Sequence, residues 1–201
     1  AGRGVPFLDA PVSGGPAGAA SGKLAIWVGG PREAYDRALP VLGAMADRAR
    51  HVGDLGAGTI SKLVHNTMAT TINHAVAEMM TVGVKAGMAP LELYEAIRSG
   101  AMGRMRAFDN VAPRWLAGNI DPPTFALELL HKDVALGVAL AESLNAPAPL
   151  ATLARDDLAE ALNRGWGGRD AQAALFLKQE RAGVPQISAP PEDIRAVIER
   201  S

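Results

Sequence analysis

Gly56-Ala57-Gly58-Thr59-Ile60-Ser61-Lys62-Leu63-Val64-His65-Asn66-Thr67-Met68 opens the stretch that decides the fold, and its pattern runs on through Ile72, Ala75, Val76, Met79 and Met80. Apolar residues recur there at the three-to-four spacing of a long α-helix. Lys62 is the only charged residue between Asp54 and Glu78, so the expected element is a central, nearly enclosed helix fed by a glycine turn. An isolated amine on such a helix is costly unless something uses it. Asn66 follows by four positions, which stacks the two side chains on one helix face. Two readings of Lys62 stand side by side: a desolvated amine fit for proton transfer, or an aliphatic stem that carries its charged head to water.

Working outward towards the N-terminus, the first fifty residues read differently. Val5 to Val12 and Leu24 to Val28 are strand candidates closed by Ser13-Gly14-Gly15-Pro16 and Gly29-Gly30-Pro31, and Arg50 to Val52 is a third. A helix starts at Pro31, runs to about Arg37 and restarts at Pro40, because an internal proline disfavours a continuous rod. So few strands with one helical segment form the edge of a larger α/β layer rather than a complete one. Towards the C-terminus the pattern stays helical. Pro90 opens a helix that Gly100 closes, and residues 101–116 suggest another ending near Pro113. Phe125 to Leu129 is extended, and helices follow over about His131 to Leu144 and Leu150 to Asn163. Asp170 caps the last main helix and Gly183 ends it. The tail from Pro185 to Ser201 reads as a loose segment with one weak terminal helix. Met68, Met79 and Met80 read as core filler.

Composition narrows the function. The 201 residues are 48% hydrophobic and 20% charged, with net charge −1 and no basic block, which supplies a core and gives nucleic acid or an anionic membrane nothing to grip. Zero cysteines exclude disulfides and thiolate metal sites, and His51, His65, His74 and His131 show no metal-ligand spacing. With no membrane-length apolar run and no leader-like N-terminus, a cytoplasmic setting is the default expectation.

Three local sequences carry the chemistry. Asp9-Ala10-Pro11-Val12-Ser13-Gly14-Gly15 ends a strand on a hydroxyl and successive backbone amides, either a carboxylate nest or an ordinary glycine turn. Gly56-Ala57-Gly58 precedes Lys62 and Asn66. His131-Lys132-Asp133 sits at an expected helix start, where Asp133 also suits plain capping. Arg104 and Arg106 are arginines that suit a carboxylate or a solvated face.

In this order and spacing the three resemble the β-hydroxyacid dehydrogenase family, over roughly Phe7 to Gly183. The resemblance implies substrate binding by Ser13, Gly14 and Gly15, catalysis by Lys62 with Asn66, and cofactor contact by Lys132 and Asp133, with no metal. It implies NAD or NADP as cofactor and a small 3-hydroxy acid, or the matching semialdehyde, as substrate. It also implies a homodimer or higher homo-oligomer. The implied fold is mainly α: an all-α domain over residues 56–184 built on a long central helix. The last strands of a truncated α/β Rossmann-type domain precede it over residues 1–55, and a tail follows over residues 185–201. The family's Gly-x-Gly-x-x-Gly turn has no counterpart in the sequence, as if the chain began late in the dinucleotide-binding domain. Two rivals follow from the same residues: a non-catalytic dimerisation fragment of such an enzyme, and an imine reductase of the same architecture, against which a lysine at position 62 argues.

Overall fold

The computed structural model describes residues 4–100, 102–104 and 111–200. The chain divides into two compact units, residues 1–66 and 67–201.

In the first unit β1 (Val12–Ser13), β2 (Leu24–Gly29) and β3 (Ala46–Gly53) form a sheet in the order β1-β2-β3. β1 lies antiparallel to β2 with Val12 opposite Ile26, and β2 lies parallel to β3 with Val28 opposite His51. A short helix α1 (Gly15–Ala20) separates β1 from β2, and α2 (Arg32–Gly43) makes the crossover to β3. Ile26, Val28, Tyr35, Leu42 and Ala46 form the core between sheet and α2, and the Tyr35 hydroxyl donates to the Ala49 carbonyl at 3.0 Å. The strand expected over Val5 to Val12 is cut to two residues plus one bridge from Asp9 to Gly29, since Pro6 and Pro11 have no N–H to give a ladder. In contrast to the expected break, α2 runs unbroken through Pro40. The carbonyl that Pro40 leaves without a donor belongs to Asp36, and both residues are exposed, so water replaces the lost bond.

Helix α3 (Ala57–Lys85) is the long helix read from the sequence. The second unit continues from its C-terminal part through α4 (Pro90–Ser99), α5 (Leu127–Ser143), α6 (Pro149–Asn163), α7 (Phe176–Ala182) and α8 (Pro191–Arg200). One core cluster surrounds Trp115 with Ala77, Met80, Tyr94, Leu116 and Leu175. A second surrounds Leu127 with Val134, Leu158, Ala161 and Leu177, and Phe176 packs against both. Asp170 caps a 3-10 helix over Ala171–Leu175 that leads into α7, rather than α7 itself: its carboxylate accepts from the Gln172 and Thr124 amides. Gly183 closes α7 with φ 63°.

Two expectations for this unit are corrected. Helix α5 starts at Leu127, not near His131, because its first free donors, the amides of Leu127 and Glu128, are taken by the carbonyls of Arg169 and Gly167 at 2.9 and 3.1 Å. The tail is not loose: Ile187, Ala189, Ile194 and Val197 are buried in the Trp115 cluster. The helix expected over residues 101–116 falls largely outside the described residues, which omit 101 and 105–110, Arg106 among them; the described parts are a short 3-10 turn at Met102–Arg104 and a π-helical turn at Ala112–Leu116, with Pro113 inside it. No described helix is long and apolar enough to cross a membrane, and no described histidine or acidic group forms a metal cluster.

Candidate active site

Helix α3 begins on a residue that cannot cap it. Its N-cap position, Gly56, has no side chain, so the first-turn amides need an acceptor from elsewhere. Asp9 supplies it. One carboxylate oxygen accepts from the Gly56 amide at 2.8 Å and the other from the Thr59 amide at 2.6 Å. Burial pushes the Asp9 carboxyl up, and the Gly56 and Thr59 donors more than reverse it, holding it below the usual carboxylate range. The approach is close enough to demand glycine at two positions. A Cβ on Gly29 would lie 2.2 Å from Asp9 Oδ1, and one on Gly58 would lie 2.5 Å from the Trp27 carbonyl oxygen and 2.7 Å from that of Asp9.

Lys62 and Asn66 follow on the next turns of α3. Lys62 is half-buried and Asn66 only 7% exposed. At 3.6 residues per turn, Lys62 shares its direction with Met80, five turns further along, and Met80 is 2% exposed. The lysine therefore leaves α3 on the face that the helix buries, not on its solvent stripe. His65 Nδ1 lies 3.0 Å from Asn66 Oδ1, with the His65 ring tilted against Trp27 at 5.2 Å between centroids. When Asn66 presents its carbonyl oxygen, His65 Nδ1–H is the donor and the amide NH2 points elsewhere. The imidazole is thus both packing and a brace for Asn66.

Ser13 ends β1, and Gly14 and Gly15 turn the chain into α1 with φ of 133° and 59°. Both glycines are exposed and both conformations strain any residue with a Cβ. The loop is a glycine turn whose backbone faces solvent beside half-buried Ser13.

In the second unit Lys132 and Asp133 lie in the second turn of α5, so Asp133 does not cap that helix. Lys132 Nζ reaches Asp133 Oδ1 at 2.7 Å, with the lysine side chain 61% exposed and the aspartate 12%. The pair presents an ammonium held on a fixed anchor, suited to a phosphate or amide group of a cofactor. The glycine fingerprint that would grip a dinucleotide's pyrophosphate is not in the sequence.

Sequence reasoning assigns Asp9 no role beyond its motif, reads His65, three positions from Lys62, as packing or solvent, and misses a third feature. Buried His74 on α3 bonds Asp157 Oδ2 through Nδ1 at 3.0 Å, and Lys178 and Arg181 reach the same carboxylate at 2.8 and 2.6 Å. Burial raises the Asp157 carboxyl, but the three donors outweigh that and hold it far below the usual range. Asp9 alone left a signal, in Gly29 and Gly58, where a Cβ would meet its atoms.

The sequence matches two family profiles. Residues 56–177 match the family described as NAD-binding of NADP-dependent 3-hydroxyisobutyrate dehydrogenase, and residues 1–53 match the NAD binding domain of 6-phosphogluconate dehydrogenase. A 3-hydroxyisobutyrate dehydrogenase of Pseudomonas aeruginosa is 37% identical over 161 residues, covering 78% of this chain and 54% of that protein. A 2-(hydroxymethyl)glutarate dehydrogenase of Eubacterium barkeri is 32% identical over 90% of this chain and 60% of its own length. Among solved structures, Mycobacterium tuberculosis 3-hydroxyisobutyrate dehydrogenase with L-serine superposes with TM-score 0.75 at 31% identity, over 85% of this chain and 60% of that one. The chain thus spans little more than half the length of the relatives it matches.

Proposed function

Because the chain belongs to the β-hydroxyacid dehydrogenase family, we propose that it carries the substrate and proton-transfer machinery of an NAD(P)-dependent dehydrogenase acting on the hydroxyl of a small 3-hydroxy acid, or reducing the matching semialdehyde. The observation that carries the reading is Lys62 with Asn66 on the buried face of a helix whose start is tied, through Asp9, to the strand ending in Ser13. NAD(P), when bound, supplies the hydride acceptor or donor. Lys62 Nζ takes the hydroxyl proton as the carbonyl forms, and returns it in the reverse direction. Asn66, braced by His65, orients the substrate oxygen towards that amine. Ser13 Oγ and the amides of Gly14 and Gly15 hold the carboxylate, and Lys132 with Asp133 contacts the cofactor.

The partner we infer is a second copy of the chain. Ile60, Val64, Met68, Met79 and Val82 are each about half exposed and fall within a ~100° arc of α3, from 3.6 residues per turn. Met68 and Met79 therefore do not fill this chain's own core, against the sequence expectation. An exposed apolar stripe on a 29-residue helix, interrupted by Thr71 and Glu78, suits a self-complementary interface.

The decisive experiment replaces Lys62 by Met in the enzyme carrying its complete dinucleotide-binding domain, with 3-hydroxyisobutyrate as substrate. Turnover falls by ~10²-fold or more, the low end for general acid–base catalysis, while the Michaelis constant changes little. Ser13→Ala does the reverse. Turnover of Lys62→Met within a few-fold of the parent removes the lysine from the mechanism.

A further inference from the structure

We propose that Asp9 is a positioning residue that sets where Lys62 stands relative to Ser13, an inference that rests on the assignment of Lys62 and Ser13 above. Asp9 holds three pieces of backbone at once. Its main chain exchanges both hydrogen bonds with Gly29 at the end of β2, at 3.1 and 2.9 Å. Its carboxylate takes the Gly56 and Thr59 amides at the start of α3. Four residues later the same segment reaches Ser13, while on α3 Lys62 lies one turn beyond Thr59. The Asp9 side chain is therefore a direct link between the segment that carries Ser13 and the helix that carries Lys62, beside the longer route through the sheet.

An ordinary N-cap comes from the residue that precedes the helix and travels with it. Here the helix's own cap position is glycine, and the capping oxygens belong to a strand 47 residues upstream. Capping of that kind fixes the axial position and tilt of α3 against the sheet, not only its helicity. The packing leaves no slack for a compensating slide: the positions of a Cβ on Gly29 and on Gly58 are already occupied by Asp9 atoms, at 2.2 and 2.7 Å. Both carboxylate oxygens are used, and the donors that use them favour the charged form. Asn is the same shape but turns one oxygen into an NH2 group facing an N–H, so one end of the clamp becomes repulsive. A misplacement of about 1 Å at a reacting group is worth up to ~10²-fold in rate, so a small shift of the helix start registers in turnover.

The test uses the enzyme with its complete dinucleotide-binding domain and compares Asp9→Asn, Lys62→Met and the double variant, assayed below their unfolding temperatures. Asp9→Asn lowers kcat roughly 10-fold and leaves the KM for 3-hydroxyisobutyrate within about 3-fold. The double variant is no slower than Lys62→Met alone, because Asp9 acts through the amine that has been removed. If Lys62→Met is nearly as active as the parent, the proposed function itself falls and this inference falls with it. If Lys62→Met is inactive but Asp9→Asn keeps its kcat, or if the two losses multiply in the double variant, Asp9 is a structural cap only and the inference alone is overturned. Should Asp9→Asn not fold, Asp9→Ser, which keeps one acceptor in the cap, is read by the same criteria.

Discussion

Asp157→Asn removes the charge at the centre of the second unit's polar network, and its cost follows from the geometry. Asp157 is 5% exposed and accepts from His74, Lys178 and Arg181. Breaking a buried ion pair from one side costs about 3–5 kcal/mol, because the partner charge stays buried. Two features place this case at the low end. The Arg181 side chain is 46% exposed and can turn to water, and Lys178 keeps Glu78 at 3.1 Å. A loss of about 3 kcal/mol in a unit of this size lowers Tm by roughly 10 °C. Differential scanning calorimetry at pH 7 reads it directly, and a change under about 3 °C would refute the reasoning. The pH dependence gives a second check. Asp157 has its folded pKa depressed, so its contribution is fully present above the ordinary aspartate pKa of about 3.9. It is lost as pH falls from there towards the folded value. The Tm difference between parent and variant therefore stays constant through neutral pH and narrows only below about pH 4.

Two further outcomes follow from packing. Val64→Glu together with Met68→Glu places two carboxylates on the exposed stripe of α3, so light scattering shows the parent as a dimer or larger and the double variant shifted towards monomer; a parent that is a clean monomer at high concentration removes the proposed interface. Ending the chain after Val184 strips Ile187, Ala189, Ile194 and Val197 from the Trp115 cluster. At roughly 1.5–3 kcal/mol per buried large apolar side chain, the truncated protein loses most of its stability and fails to give a cooperative melt, whereas a melt unchanged within 2 °C would mean that the tail is not docked.

The sequence exposed those parts of the fold whose closing groups are near in the chain. Helix α4 carries its proline and glycine at its own ends, Asp170 accepts from an amide two residues on, and the periodicity of α3 is internal to it. What stayed hidden is closed by distant groups. The start of α5 depends on carbonyls about 40 residues later, the start of α3 on a carboxylate 47 residues earlier, and the docking of the tail on a core made by α3, α4 and the turn at Trp115. No local pattern reports such partners. Among the site residues the same division holds for Lys62–Asn66, whose step follows from helix geometry, and for the clamp by Asp9, which needs the folded chain.

The face of α3 shows why hydrophobic periodicity misled where it seemed strongest. The pattern picked out Met68 and Met79 as interior, yet both are more than half exposed, at 56% and 60%. The residues that this chain does bury on α3 include Asn66, Thr70, His74 and Thr81, a polar set that a hydrophobicity criterion assigns to water. Burying polar side chains is tolerated where each has a partner, and His74 and Thr81 have theirs in Asp157 and the Ala77 carbonyl. Periodicity records where apolar residues recur along a helix, not which of them one chain buries. Lys62 belongs to the polar set by direction and not to the apolar stripe. The placing of Lys62 towards the chain's own buried face and of Ile60, Val64 and Met68 on the exposed one are therefore two results of one helix phase. The stripe variants Val64→Glu and Met68→Glu separate them, since they alter association while leaving the direction of Lys62 unchanged.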